Sequence, residues 1–206
     1  MANEQIFSSV MEKCTEKKVV SCCKKLIKKS RLTSMAAAQT LCELAYWLYV
    51  YGHIDEALEV CEFSHLDIPE PFTVNYNVWD FVLEIWGLEA YIYRKQGDEA
   101  KCGEMVERIK TVRLTPNVKE LDTAEKQAAF YKRIRENWTF DDAVSKRHID
   151  IHIQDGSKSS EMGYRFTALY KMIGYGVTGW YPQLEARKDE LEQLINEYIS
   201  ILRKKW

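Results

Sequence analysis

Four patterns in this sequence carry residues able to do chemistry. His148 and His152 lie four apart in HIDIHIQ, with Asp155 close behind. On one helical face they would supply two metal ligands. A convincing third ligand is missing, so no metal site is expected there. GYGVTG, residues 174–179, matches G-x-G-x-x-G. A dinucleotide fingerprint needs a strand before it and a helix opening inside it, whereas here WYP follows and no parallel-sheet pattern surrounds it. A glycine-rich turn between packed helices is expected instead. Cys22 and Cys23 sit among lysines and could be reactive or lipidated, but their apolar periodicity points to burial. KKVVSCCKKLIKKSR, residues 17–31, has seven basic residues and no acid. It reads as a core helix with a solvated lysine face; the sharper reading is a surface for an acidic partner, a nucleic-acid backbone or a membrane.

No nucleophile elbow, P-loop or H-E-x-x-H is present, so no catalytic residue and no cofactor are assigned and enzymatic activity is not expected. The alternative is an enzyme or nucleotide-binding protein with a pocket in the C-terminal third, where Tyr164, Tyr170, His148, His152 and the glycine stretch collect.

The elements that must position these residues are helical. The chain has 206 residues, 46% hydrophobic, enough for one substantial core and best read as a single domain over 1–206. With 29% charged residues and a net charge of −2, its surface is not adapted as a whole to nucleic acid, which is not the expected partner. Four prolines and nine glycines are too few for a turn-rich β-protein. Six cysteines, at 14, 22, 23, 42, 61 and 102, show no C-x-x-C spacing. MANEQIFSSVMEK lacks a basic region followed by an apolar run. Reduced, buried thiols in a cytoplasmic protein are the expectation. No apolar stretch approaches the roughly 20 residues that span a bilayer.

Apolar spacing of three and four predicts helix over 3–29, in two stripes, and over MAAAQTLCELAYWLYVY, with Thr33 or Ser34 as N-cap and Gly52 as C-terminal glycine. IDEALEVCEF is a second helix closed by Pro69 and Pro71, and residues 70–78 read as a loop or linker. Helices are expected at 79–95, 99–112, 121–138 and 160–173, and from Pro182 onward. Residues 141–154 fit a strand or a helix equally.

The two glycine turns superpose. Leu41, Leu44, Ala45 and Leu48 precede Gly52 at the offsets at which Trp86, Glu89, Ala90 and Tyr93 precede Gly97. Ala57 and Cys102 follow by five residues each. A small residue in the first helix and another past the turn allow close approach, and large residues fill the gap on either side. This pattern resembles the tetratricopeptide repeat. Leu44, Ala45, Leu48, Gly52, Ala57, Ser64 and Pro69 occupy that family's signature places, as do Trp86, Ala90, Tyr93, Gly97 and Cys102, with QGD at 96–98 typical of its turn. The glycines are 45 residues apart, against a family period of about 34; an insertion falls near 70–80, Glu89 replaces an aliphatic residue, and the second unit lacks its closing proline.

The resemblance implies an all-α fold of antiparallel hairpins, about 38–69 and 83–115, in a short right-handed stack with capping helices, the last at about 182–205. It also implies a concave face on the first helices that contacts a ligand. Gln39, Cys42, Tyr46 and Tyr49 would lie on it, with Glu84, Gly87, Tyr91, Arg94 and Lys95. Flat tyrosines beside cations suit a protein or peptide partner. An adaptor or a bacterial immunity-type protein fits; the other reading of these tyrosines is burial against the capping helices.

Overall fold

The computed structural model describes residues 2–29, 34–67, 76–111, 123–126, 129, 162–176 and 186–205. Among these residues the chain is all-α, without a strand. Its elements are α1 (Ala2–Lys13), α2 (Lys17–Ile27), α3 (Met35–Tyr51), α4 (Ile54–Asp67), α5 (Tyr76–Lys95), α6 (Glu99–Thr111), α7 (Met162–Lys171), a π-helical turn (Met172–Gly176) and α8 (Lys188–Lys205). The expected helix at 121–138, the ambiguous 141–154 and Pro182 lie outside the described residues.

The helical stretch expected at 3–29 is interrupted at Cys14–Glu16. Glu16 takes extended backbone, φ −62° and ψ 133°, and its carboxylate reaches out to His53 instead of capping α2. Ser34 caps α3 by accepting from Ala37 N at 3.3 Å. Of the loop or linker expected at 70–78, residues 76–78 belong to α5, which begins at Tyr76, and the rest lie outside the described residues.

The two hairpins turn by the same bonds. Gly52 and Gly97 are left-handed, with φ of 91° and 79°. His53 N donates to Leu48 O and Gly52 N to Tyr49 O; Asp98 N donates to Tyr93 O and Gly97 N to Arg94 O, at the same offsets. This Schellman pair satisfies carbonyls that the helix end would leave bare. Five residues past each glycine, Ala57 and Cys102 are buried. The residue after each glycine starts the second helix, but the two are used differently. Asp98 caps α6 through Lys101 N at 3.1 Å, whereas the His53 side chain goes to Glu16.

α3 packs on α2, α4 and α5, and α5 packs on α4 and α6. The π turn, α7 and α8 close over α3 and α5 from the other side. Every residue from Val82 to Tyr93 is buried as a result, and so are Leu41, Cys42 and all of Leu44–Leu48. Helices apolar all round lie inside rather than on a surface.

Replacing either turn glycine by alanine forces a Cβ into left-handed backbone. At Gly52 that Cβ would meet Arg203 Nη2 at 3.5 Å, ordinary contact, and at Gly97 it meets nothing within 4 Å. Both G52A and G97A should therefore lose about 1–2 kcal/mol, from strain alone. Urea unfolding checks this, and a G97A chain as stable as wild type would contradict the left-handed turn.

Candidate functional site

α3 and α5 carry the residues predicted for the concave face. Tyr46 is fully buried. Its hydroxyl donates to the Glu84 backbone carbonyl at 2.9 Å, and its ring lies 5.6 Å from that of Tyr170 in α7. Glu84 is also fully buried; its carboxylate pairs with Lys171 at the end of α7 and accepts from the Cys42 thiol at 3.7 Å. Tyr49 is half-buried, its ring 5.8 Å from that of Tyr91. The Tyr91 hydroxyl donates to Glu192 Oε2 of α8 at 2.8 Å, and Lys95 Nζ donates to the same oxygen at 2.6 Å. Burial raises the Tyr46 and Tyr91 hydroxyls above the ordinary tyrosine range, so both remain protonated donors.

Tyr46, Tyr49, Glu84, Tyr91 and Lys95 thus converge on one face, and that face is covered by the chain's own C-terminal segment. Gln39 and Arg94 do not join them. Gln39 is exposed and donates to Glu43 on its own helix at 3.0 Å, while the Arg94 guanidinium acts on the Cys102 thiol of α6. Of the two readings of these tyrosines, ligand contact or burial against capping helices, the contacts made by α7 and α8 fit burial, because α3 and α5 offer too much apolar surface to leave wet.

The close approach of the cover depends on glycine. A Cβ built on Gly87 would lie 2.7 Å from Gly174 Cα, and one on Gly174 would lie 3.4 Å from Glu84 Cα. Gly174 belongs to the π-helical turn, which replaces the loop expected at GYGVTG; residues 177–179 lie outside the described residues. Trp47 stacks on Phe166 of α7 at 4.1 Å and 8°. Lys171, Gly174 and Glu192 were not singled out from sequence as members of this face. They come from a segment 75 or more residues away, and no periodicity connects them to α3 or α5.

The other predicted groups fall as follows where they are described. Val19, Cys22, Cys23 and Leu26 of α2 are buried while Lys17, Lys24, Lys25, Lys28 and Lys29 are exposed, the core helix with a lysine face. Burial, ahead of neighbouring charges, pushes the Cys22 and Cys23 thiols up to about 12, so neither is a reactive thiolate. His148, His152, Asp155 and the Tyr164 side chain lie outside the described residues. Among the described residues no helix is long and apolar enough to cross a membrane.

A protein-family profile matches residues 2–204. The chain belongs to a family of unknown function, DUF6707. No curated protein and no solved structure matches it. The DUF6707 match runs through both hairpins and through α7 and α8, so the family unit includes the occupied face together with the segment that occupies it.

Two substitutions separate the roles of glycine here. G87A should cost well over 1 kcal/mol and raise hydrogen exchange in α7, the π turn and α8, because the contact at 2.7 Å is backbone against backbone. G103A, exposed in α6 with nothing within 4 Å, should gain about 0.5–1 kcal/mol. Removing one charge of the buried pair, by E84Q or K171M, should cost about 3–5 kcal/mol, and the double variant should recover part of that loss. Thermal unfolding of the four chains checks the coupling.

Proposed function

We propose that the protein is an interaction module in which tetratricopeptide-like hairpins accept an amphipathic helix from a protein or peptide partner, with the C-terminal segment as the resident occupant of the groove. The observation that carries this reading is the set of side chains engaging that segment. Tyr91 and Lys95 hold a carboxylate, Glu192, and Glu84 holds an ammonium, Lys171. Those are the groups a helix-binding groove uses to fix register and orientation, beside apolar rings that supply contact area.

The two charge contacts differ in exchangeability. Lys95 is 45% exposed and Glu192 17% exposed, so their ion pair contributes at most about 1 kcal/mol. A partner carboxylate can take the place of Glu192 at little cost. The Glu84–Lys171 pair is sealed, and losing it exposes a buried charge. Exchange therefore starts at α8 and leaves α7 in place. A cleft of about 370 Å³ lies beside α8, lined by Tyr49, Ile54, Asn196, Ser200, Arg203 and Lys204. It gives an incoming chain a foothold with two cations for its acidic groups. An adaptor and a toxin-neutralising immunity protein would both use such a surface.

The second reading, an enzyme or nucleotide-binding protein working in the C-terminal third, has no comparable support. Gly174 of its glycine stretch packs against Glu84 and Gly87, and Tyr170 packs on Tyr46.

The test uses the full chain as bait. E192A should raise hydrogen exchange in α8 and increase capture of a partner several-fold over wild type. A synthetic peptide of residues 188–205 should then compete the partner off. Capture that is unchanged in E192A and insensitive to the peptide removes the groove from the function.

A further inference from the structure

Away from the occupied groove, three segments bring metal-ligating side chains to one point. Cys14 follows α1, His53 follows the left-handed Gly52, and Glu56 lies in the first turn of α4. Their ligand atoms, one sulfur, one imidazole nitrogen and one carboxylate oxygen, all lie within 4.8 Å of one another. Backbone bonds fix each segment: Cys14 N donates to Val10 O at 2.9 Å, His53 N to Leu48 O at 2.9 Å, and Ala57 N to His53 O at 2.9 Å. Glu16 Oε1 lies 2.9 Å from His53 Nε2. A carboxylate on one ring nitrogen orients the imidazole and leaves the other for a cation, the usual support of a metal-bound histidine.

The surroundings contain polar atoms that the protein does not satisfy. Glu16 Oε2 and the Tyr51 hydroxyl are buried and have no hydrogen-bond partner among the described residues. Two carboxylates, Glu56 and Glu16, act on the Cys14 thiol, and Lys13 lies 3.4 Å from Glu56 and 3.8 Å from Glu59. Lys13 is 51% exposed, so that pair contributes little and a metal displaces it at small cost.

We propose that Cys14, His53 and Glu56 form a binding site for a divalent transition-metal ion of the zinc type, with Glu16 orienting His53. One sulfur, one nitrogen and one oxygen ligand suit a borderline-soft ion and disfavour magnesium or calcium, which select oxygen. Ligand bonds of about 2.0–2.3 Å place tetrahedral neighbours roughly 3.3–3.8 Å apart, so groups that lie within 4.8 Å of one another need at most a small inward movement on binding. The thiol transfers its proton to solvent as the metal–sulfur bond forms. Water fills the remaining position. The ion would tie α1 to the first hairpin turn, which is where His53 departs from the capping role of Asp98.

The experiment titrates metal-free, reduced full-length chain with Co²⁺ and then Zn²⁺. The expected result is one equivalent of Co²⁺ giving a thiolate-to-cobalt charge-transfer band, bleached by Zn²⁺, and a higher melting temperature with Zn²⁺. C14A should abolish the band, and H53Q and E56Q should weaken Zn²⁺ binding by about 100-fold or more. H53Q and E56Q change turn and surface groups, so they keep the test open should C14A unfold. C102S and H148Q/H152Q should bind as wild type. Cobalt binding without a thiolate band, binding unaffected by H53Q and E56Q, or no binding at all would overturn the site.

Discussion

A carboxylate at full burial needs a cation beside it, and Glu84 is that carboxylate. It lies in the middle of α5, a helix buried from Val82 to Tyr93, so water cannot serve. Lys171 supplies the charge from α7. For the lysine to arrive, α7 and the turn after it must press against α5, and this is where the glycines matter. Gly87 and Gly174 remove the two Cβ atoms that would hold the backbones apart. The π-helical turn at Met172–Gly176 follows Lys171 directly and carries Gly174 onto α5; insertions of this kind re-aim residues within a helix. Tyr46 completes the arrangement by donating to the Glu84 carbonyl. Charge, glycine contact and hydroxyl are thus one constraint, and the position of the C-terminal segment follows from it.

The same constraint separates specificity from stability. A buried pair of this kind often contributes no more than apolar residues of the same volume would, because each ion gives up its hydration. What it supplies is a penalty for every wrong arrangement. If α7 slid by one turn along α5, Glu84 would lose its cation and Gly174 would no longer face Gly87. The apolar contacts alone, such as Trp47 on Phe166, tolerate such shifts far better. Two hairpins cannot bury every apolar face between them, and an apolar face left over needs a covering element. In this chain the cover is held in register by polar groups.

How much of this was legible in the sequence varies by residue. The turns were: the offsets around Gly52 and Gly97 predict two equal hairpin corners, and the backbone bonds agree atom for atom. Those bonds are local, so local sequence determines them. The lysine face of α2 was legible for the same reason. For the tyrosines the sequence left two readings, a ligand-contacting face and burial against capping helices, and a signal favouring burial was present. Between Val82 and Tyr93 the charged residues are Glu84 and Glu89, and α3 carries Glu43 as its one charge. Such helices have no polar side to offer solvent, and that argued for a cover. Which segment provides it was not legible. Lys171 and Glu192 meet Glu84 and Tyr91 across intervals of 87 and 101 residues, and nothing local encodes a pairing of that range.

The first hairpin shows how one turn carries a second duty. Asp98 and His53 hold equivalent places, directly after the left-handed glycine. Asp98 spends its side chain on the helix it begins. His53 instead directs its side chain to Glu16, in the break between α1 and α2. That choice has two structural consequences. The break is needed, because a continuous helix through Cys14–Glu16 would carry Glu16 away from the turn. And Cys14, the first residue of the break, is brought against Glu56. The departure from capping and the interruption of the N-terminal helix therefore have one cause. The imidazole links two segments that also meet through Phe7 on Phe63 and through the exposed Lys13 beside Glu56 and Glu59. A histidine at this place, where a helix start favours aspartate or serine, is explained by what it holds rather than by the turn it sits in.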